Sequence, residues 1–138
     1  MRKILWAVPA GAALLVAALA VQTFDREPGP APVPQTETTF GYHELPGTDL
    51  AIEADGPIRL TVVAGGRQRV AIKRELSWTG ARHHEEAWED ARRLRIAYSC
   101  DDGCAADYVL TVPESTRITV TGAAGGISCA AKVTCAEG

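Results

Sequence analysis

Several things are scarce or missing in this 138-residue chain, and each narrows what it can do. It has three lysines against eleven arginines, no basic block and a formal net charge of −3. That balance lacks the electrostatic footprint of a nucleic-acid binder, so nucleic acid is not an expected partner. No Gly-x-Ser-x-Gly elbow occurs, and Gly65-Gly66 is not followed by the Lys-Ser/Thr of a phosphate loop. Ser115 and Ser128 have no His or Asp partner that spacing identifies. His83 and His84 are adjacent, so they lack the separation that places two metal ligands on one helix face. Asp101-Asp102-Gly103 begins like a calcium loop without the remaining ligand series, and it reads as a turn. No catalytic residue, cofactor or metal ligand is therefore assigned, and the chain reads as a non-enzyme.

What is present begins at the N-terminus. Arg2 and Lys3 precede an uncharged, mostly apolar run over residues 4–21, and the next charge is Asp25. This is the pattern of a signal peptide or signal anchor across residues 1–24, with its positive end left in the cytoplasm. Ala18-Leu19-Ala20 is a small-x-small site, so cleavage after Ala20 would release the protein. The run is longer than the roughly 7–15 apolar residues of a cleavable signal and just short of the roughly 20 of a membrane span. The expected localisation is export, with retention as a single-pass anchor favoured over secretion. The membrane is then a partner through residues 4–21, and the C-terminal domain lies outside. No Cys lies near this segment, which argues against a lipoprotein.

Residues 25–39 contain Pro28, Pro30, Pro32 and Pro34 alternating with small residues, the composition of a semi-rigid extended spacer. The folded domain is expected over residues 40–138. Four cysteines fall in it, and an exported chain should oxidise them. Sequence allows three connectivities. The two local pairs, Cys100 with Cys104 and Cys129 with Cys135, are favoured because each would staple a turn between neighbouring extended segments. The alternative is a four-Cys zinc site, against which the loose spacing and an oxidising compartment both count.

Apolar and polar residues alternate along most of this domain. Ile58, Leu60 and Val62 share one parity, as do Val70, Ile72, Leu76 and Trp78. Leu94, Ile96 and Tyr98 repeat the pattern, then Tyr108, Leu110 and Val112, then Ile118 and Val120. Period two predicts strands with one buried face. Breakers separate them at Asp55-Gly56-Pro57, Gly65-Gly66, Thr79-Gly80, Asp101-Asp102-Gly103, Pro113 and Gly125-Gly126. The fold class is all-β, with six or seven short strands in a small antiparallel sandwich or a short solenoid-like domain, preceded by one N-terminal apolar helix. Arg74 violates the parity of its strand; a bulge or an edge position reaching solvent is the structural reading, and a buried cation poised for a ligand the functional one. Residues 83–93 are rich in helix formers, and Glu89 stands four residues before Arg93, so a short helix or a charged loop is expected there.

The order of features from Leu50 onward resembles a family of adhesin-like, bacterial exported β-repeat domains of unknown function. The resemblance covers about residues 50–128 and rests on Leu60-Thr61-Val62-Val63, Val70-Ala71-Ile72-Lys73, Trp78 and Leu94-Arg95-Ile96. Its most specific part is Cys100 and Cys104 followed by Tyr108-Val109-Leu110-Thr111-Val112-Pro113, with Ile118-Thr119-Val120 and Gly125-Gly126-Ile127 beyond. The resemblance implies strands in a layered or solenoid-like arrangement outside the cell and no catalytic residues to carry over. Further glycine-rich repeats usual in such proteins are missing, so the chain looks shortened. The expected function is a structural or adhesin-like binding role in the bacterial envelope, toward cell-wall or surface components. The alternative is an extracytoplasmic small-molecule or metal-binding sensor using His83, His84 and Arg74.

Overall fold

The computed structural model describes residues 33–138, residue 66 excepted. The apolar N-terminal segment, the Ala20 cleavage site and the proposed membrane contact over residues 4–21 lie outside the described residues. Ten strands follow one another: β1 (Gln35–Glu44), β2 (Asp49–Asp55), β3 (Ile58–Gly65), β4 (Arg69–Trp78), β5 (Arg82–Asp90), β6 (Arg93–Cys100), β7 (Ala105–Pro113), β8 (Arg117–Gly122), β9 (Gly126–Cys129) and β10 (Thr134–Glu137). β1 thus takes in residues 35–39, a stretch whose composition reads as spacer. They form two five-stranded sheets, β1-β4-β7-β3-β9 and β10-β8-β2-β6-β5.

The chain alternates between the sheets. β2 lies in one and β3 in the other, and β6 with β7 and β8 with β9 repeat the step. Each return to a sheet runs in the same direction, so β2 pairs in parallel with β6 and β8, and β3 with β7 and β9. β10 adds to β8 in parallel. Only at the β1, β4 and β5 end are the pairings antiparallel, β4 on β7, β1 on β4 and β5 on β6. The sheets are therefore mixed, and the antiparallel sandwich expected from alternation is corrected. Period two reports which face is buried and carries no information on strand direction.

Inward residues of both sheets form one core. Leu50, Ile52, Leu94, Ile96 and Ile118 face Ile58, Leu60, Val62, Val70, Leu110 and Val112, all nearly or fully buried. The corners between rungs continue the stacking through backbone bonds. Ala123 N donates to Ala54 O at 2.9 Å, Ala106 N to Pro57 O at 2.9 Å and Gly125 N to Ile58 O at 2.9 Å.

The helix expected within residues 83–93 is corrected to strand β5. Its residues pair with β6 in register from Arg82↔Cys100 to Trp88↔Leu94. Helix propensity is a weak prior, and here the free edge of β6 offers a ladder while His84, Glu86 and Trp88 face the core side. Glu89 and Arg93 still approach, at 3.8 Å, but across a hairpin turn rather than a helical one.

Cys100 is bonded to Cys104 and Cys129 to Cys135, with Cα separations of 6.2 and 6.4 Å. The first closes the β6–β7 corner; the second ties β9 in one sheet to β10 in the other. Loops this short remove only about 2 kcal/mol of unfolded-state entropy each. C129S/C135S is expected to lower unfolding stability by about 2 kcal/mol, read as a fall in the urea midpoint.

Candidate functional site

A polar cluster lies at one end of the core, where β1, β4, β5 and β7 meet. Arg74 on β4 is inward by parity, and the β1–β4 and β4–β7 registers run through it without a shift. The bulge or solvent-reaching edge expected for it is corrected: its side chain is 16% exposed and forms a two-pronged bond to Glu86 of β5. Nε donates to Glu86 Oε1 and Nη2 to Oε2, both at 2.6 Å. Two charges on the inward faces of opposing sheets thus neutralise one another, the planar fork matching the carboxylate. Gly41 of β1 makes room for it, since a Cβ there would lie 2.8 Å from Arg74 Nη2.

Tyr108 of β7, fully buried, donates its hydroxyl proton to Glu86 Oε1 at 2.7 Å. That hydroxyl has one proton, so towards His84 Nε2, 2.8 Å away, it can only accept. His84 therefore carries its hydrogen on Nε2. Tyr98 donates to Ser77 O at 3.1 Å, and its ring meets the His84 ring edge to face at 5.7 Å. Nearer the surface, Arg82 bonds Glu37 at 2.5 Å and lies 3.6 Å over the Trp78 ring. His43 stacks on Trp88 at 3.6 Å and donates Nε2–H to Ala91 O at 3.2 Å. These contacts join β1 to β5 and close the end of the core.

The electrostatics follow from this wiring. Burial pushes the Glu86 carboxyl up, but the hydrogen bonds from Arg74 and Tyr108 outweigh it and hold the group below the usual carboxylate range. The bond to Glu86 outweighs burial at Arg74 and keeps its guanidinium charged. Burial and the Glu86 bond push the Tyr108 hydroxyl far up. His84 is lowered, chiefly by burial, with Arg82 and Arg74 adding to the effect and Glu86 opposing it. The unfolded chain then takes up a proton at His84 before the folded one does. Stability linked to His84 is complete above its unfolded value of 6.5 and is lost as pH falls through the folded pKa. Glu86 acts in the same direction below its unfolded value of 4.5. The thermal midpoint is expected to fall between pH 7.5 and 5.5, and H84Q to flatten that slope while leaving the one below pH 4.5.

The sensor trio expected from sequence is divided. Arg74 and His84 share this network, whereas His83 faces outward on β5, 3.2 Å from Glu85. Among the described residues, no three His, Cys, Asp or Glu side chains converge in a way that could hold a metal ion. Every buried side-chain nitrogen and oxygen among them has a hydrogen-bond partner. Sequence reasoning missed Glu86, Tyr108, Glu37 and Gly41 as members of this cluster. The parity violation at Arg74 was the available signal, because an inward cation implies an inward anion.

The open depressions lie on the outside of the sheets. One, of about 610 Å³, is lined by Ala51, Thr119 and Ala136 together with Arg92, Arg93 and Arg117. Arg117 is paired with Asp49 at 2.9 Å, and Arg93 with Glu53 at 3.3 Å. A second, about 580 Å³, lies beside the Cys100–Cys104 loop and includes Asp55, His83, Glu85 and Asp102. Two smaller ones flank Tyr42 on the other sheet, about 240 and 210 Å³. Comparison with protein-family models, curated proteins and solved structures finds no match to this chain.

Proposed function

We propose that this protein is a non-enzymatic, exported binding module of the bacterial envelope, a short solenoid-like domain carried on a proline-rich spacer. The observation that carries the reading is where the open surface lies. Among the described residues the space between the sheets is filled by side chains, and the grooves of about 610 and 580 Å³ open on outward-facing residues of the sheets. A fold of this kind recognises a partner by its surface, as an adhesin-like or structural role requires, rather than by engulfing a small molecule. The two disulfides are weakly consistent with an extracytoplasmic location. The adhesin-family resemblance and the basic-then-apolar N-terminus point the same way.

The test has two arms. Intact mass of the chain recovered from the envelope fraction, before and after reduction, should rise by four hydrogens for the two disulfides. The purified full chain, in detergent, should then sediment with isolated cell-wall material. An unchanged mass in a cytoplasmic chain would overturn the location. Sedimentation no greater than that of an unrelated β protein would overturn the binding role.

A further inference from the structure

Sheet edges present unpaired N–H and C=O groups, and proteins protect them with charge, proline, bulges or brevity. β9 and β10 are four residues each, and β5 carries Glu85, Glu86, Glu89 and Asp90. β1 is less protected: it carries two acids, Glu37 and Glu44, and is neither short nor bulged. It is ten residues long, pairs among the described residues only with β4, and does so without a register shift. Its outer edge therefore offers both backbone groups of every second residue. The exposed large apolar side chains among the described residues are Val33, Phe40 and Tyr42, and all lie on β1 or two residues before it. Phe40 and Tyr42 are 67% and 66% exposed.

We infer that β1 is a self-association edge, to which a second copy of this chain adds its own β1 antiparallel. The strand is complementary to itself about Phe40. A two-fold axis there sets Phe40 against Phe40, Thr38 against Tyr42 and Glu37 against His43, while Glu44 faces Thr36. The strand's two acids never oppose each other, and a cross-strand aromatic pair such as Phe40 with Phe40 is one that stabilises a sheet. A corresponding pairing of β5 about its central residue would set Glu86 against Glu86. The product is a closed, isologous dimer whose two five-stranded sheets become one of ten. This pairing stands whether or not the outer faces take a ligand.

Sedimentation velocity of the full chain in detergent micelles, over a dilution series, reads the association. Hydrogen exchange at low and high protein concentration locates it. The expected result is a mass that doubles with concentration, together with slowed exchange confined to alternate amides of β1. F40K/Y42K changes only exposed side chains and should stay monomeric at every concentration. A monomer at every concentration would overturn the inference, as would protection appearing on β5, β9 or β10 instead. So would a wild-type β1 protected only by a different, co-purifying polypeptide. Exchange is read on the wild-type chain and so decides the matter even if F40K/Y42K fails to fold.

Discussion

Gly56→Ala is expected to prevent this chain from reaching its native state. Gly56 turns the corner between β2 and β3 at φ +110°, in the left-handed region that side chains avoid. Strain there alone costs about 1–3 kcal/mol. A Cβ at this position would also lie 1.9 Å from Tyr98 O, a backbone atom of the neighbouring rung. No rotamer change relieves a clash between two backbones, so the rungs must separate and give up ladder hydrogen bonds. The combined loss should exceed about 4 kcal/mol, a large part of a small domain's whole stability. Gly122 repeats the arrangement one rung along, with a Cβ 1.9 Å from Ala54 O. Gly80 is the control: its φ is +80° but nothing lies within 4 Å of the added carbon. Gly80→Ala should cost only about 1 kcal/mol. Urea denaturation and the yield of soluble protein separate Gly56→Ala and Gly122→Ala from Gly80→Ala. A folded Gly56→Ala protein with near-normal stability would show that the corner does not need glycine.

Arg74→Met is expected to destabilise the protein by about 3–5 kcal/mol, because it strands the Glu86 carboxylate in a mostly buried site. Arg74 and Glu86 are each only 16% exposed, so solvent cannot replace the lost partner. Joint replacement, Arg74→Met with Glu86→Leu, should recover most of the loss, since a buried ion pair contributes little over a well-packed apolar pair. Acid distinguishes a stranded charge from a mere packing defect. In Arg74→Met the Glu86 carboxyl loses the guanidinium that holds it down and should protonate at higher pH. Its deficit relative to wild type should therefore shrink as pH falls from 7 towards 5, when measured by urea unfolding at each pH. A deficit independent of pH would assign Arg74 a packing role only.

The strands legible in the sequence were those with a buried face. Ile58, Leu60 and Val62, or Leu94, Ile96 and Tyr98, alternate because each strand has one face in the core. β5 was hidden because two of its three inward residues, His84 and Glu86, are polar and leave Trp88 as the one apolar mark of its buried face. They can face inward only because Arg74, Tyr108 and His43 are brought to them from β4, β7 and β1. β1 was hidden for a related reason. Its inward positions are Glu37, Thr39, Gly41 and His43, and Gly41 is there to admit a guanidinium from another strand. At the cluster, the sequence showed one anomaly, an arginine on an apolar parity, without naming its partner twelve residues away.

The sequence by itself determined the all-β class, the breakers at the corners and the cysteines close enough along the chain to pair locally. These are local properties, set by side-chain alternation, φ preference and short contour length. Tertiary structure alone decided strand direction, strand order and the composition of the polar end. Parallel and antiparallel neighbours bury the same alternating face, so alternation cannot separate them. The order in which β6–β7, β2–β3 and β8–β9 stack depends on contacts between residues far apart in the chain. Asp55-Gly56-Pro57 is visible as a break in any reading. That it must be glycine because the Tyr98 carbonyl of another rung fills the space of a Cβ is visible only once the rungs are stacked.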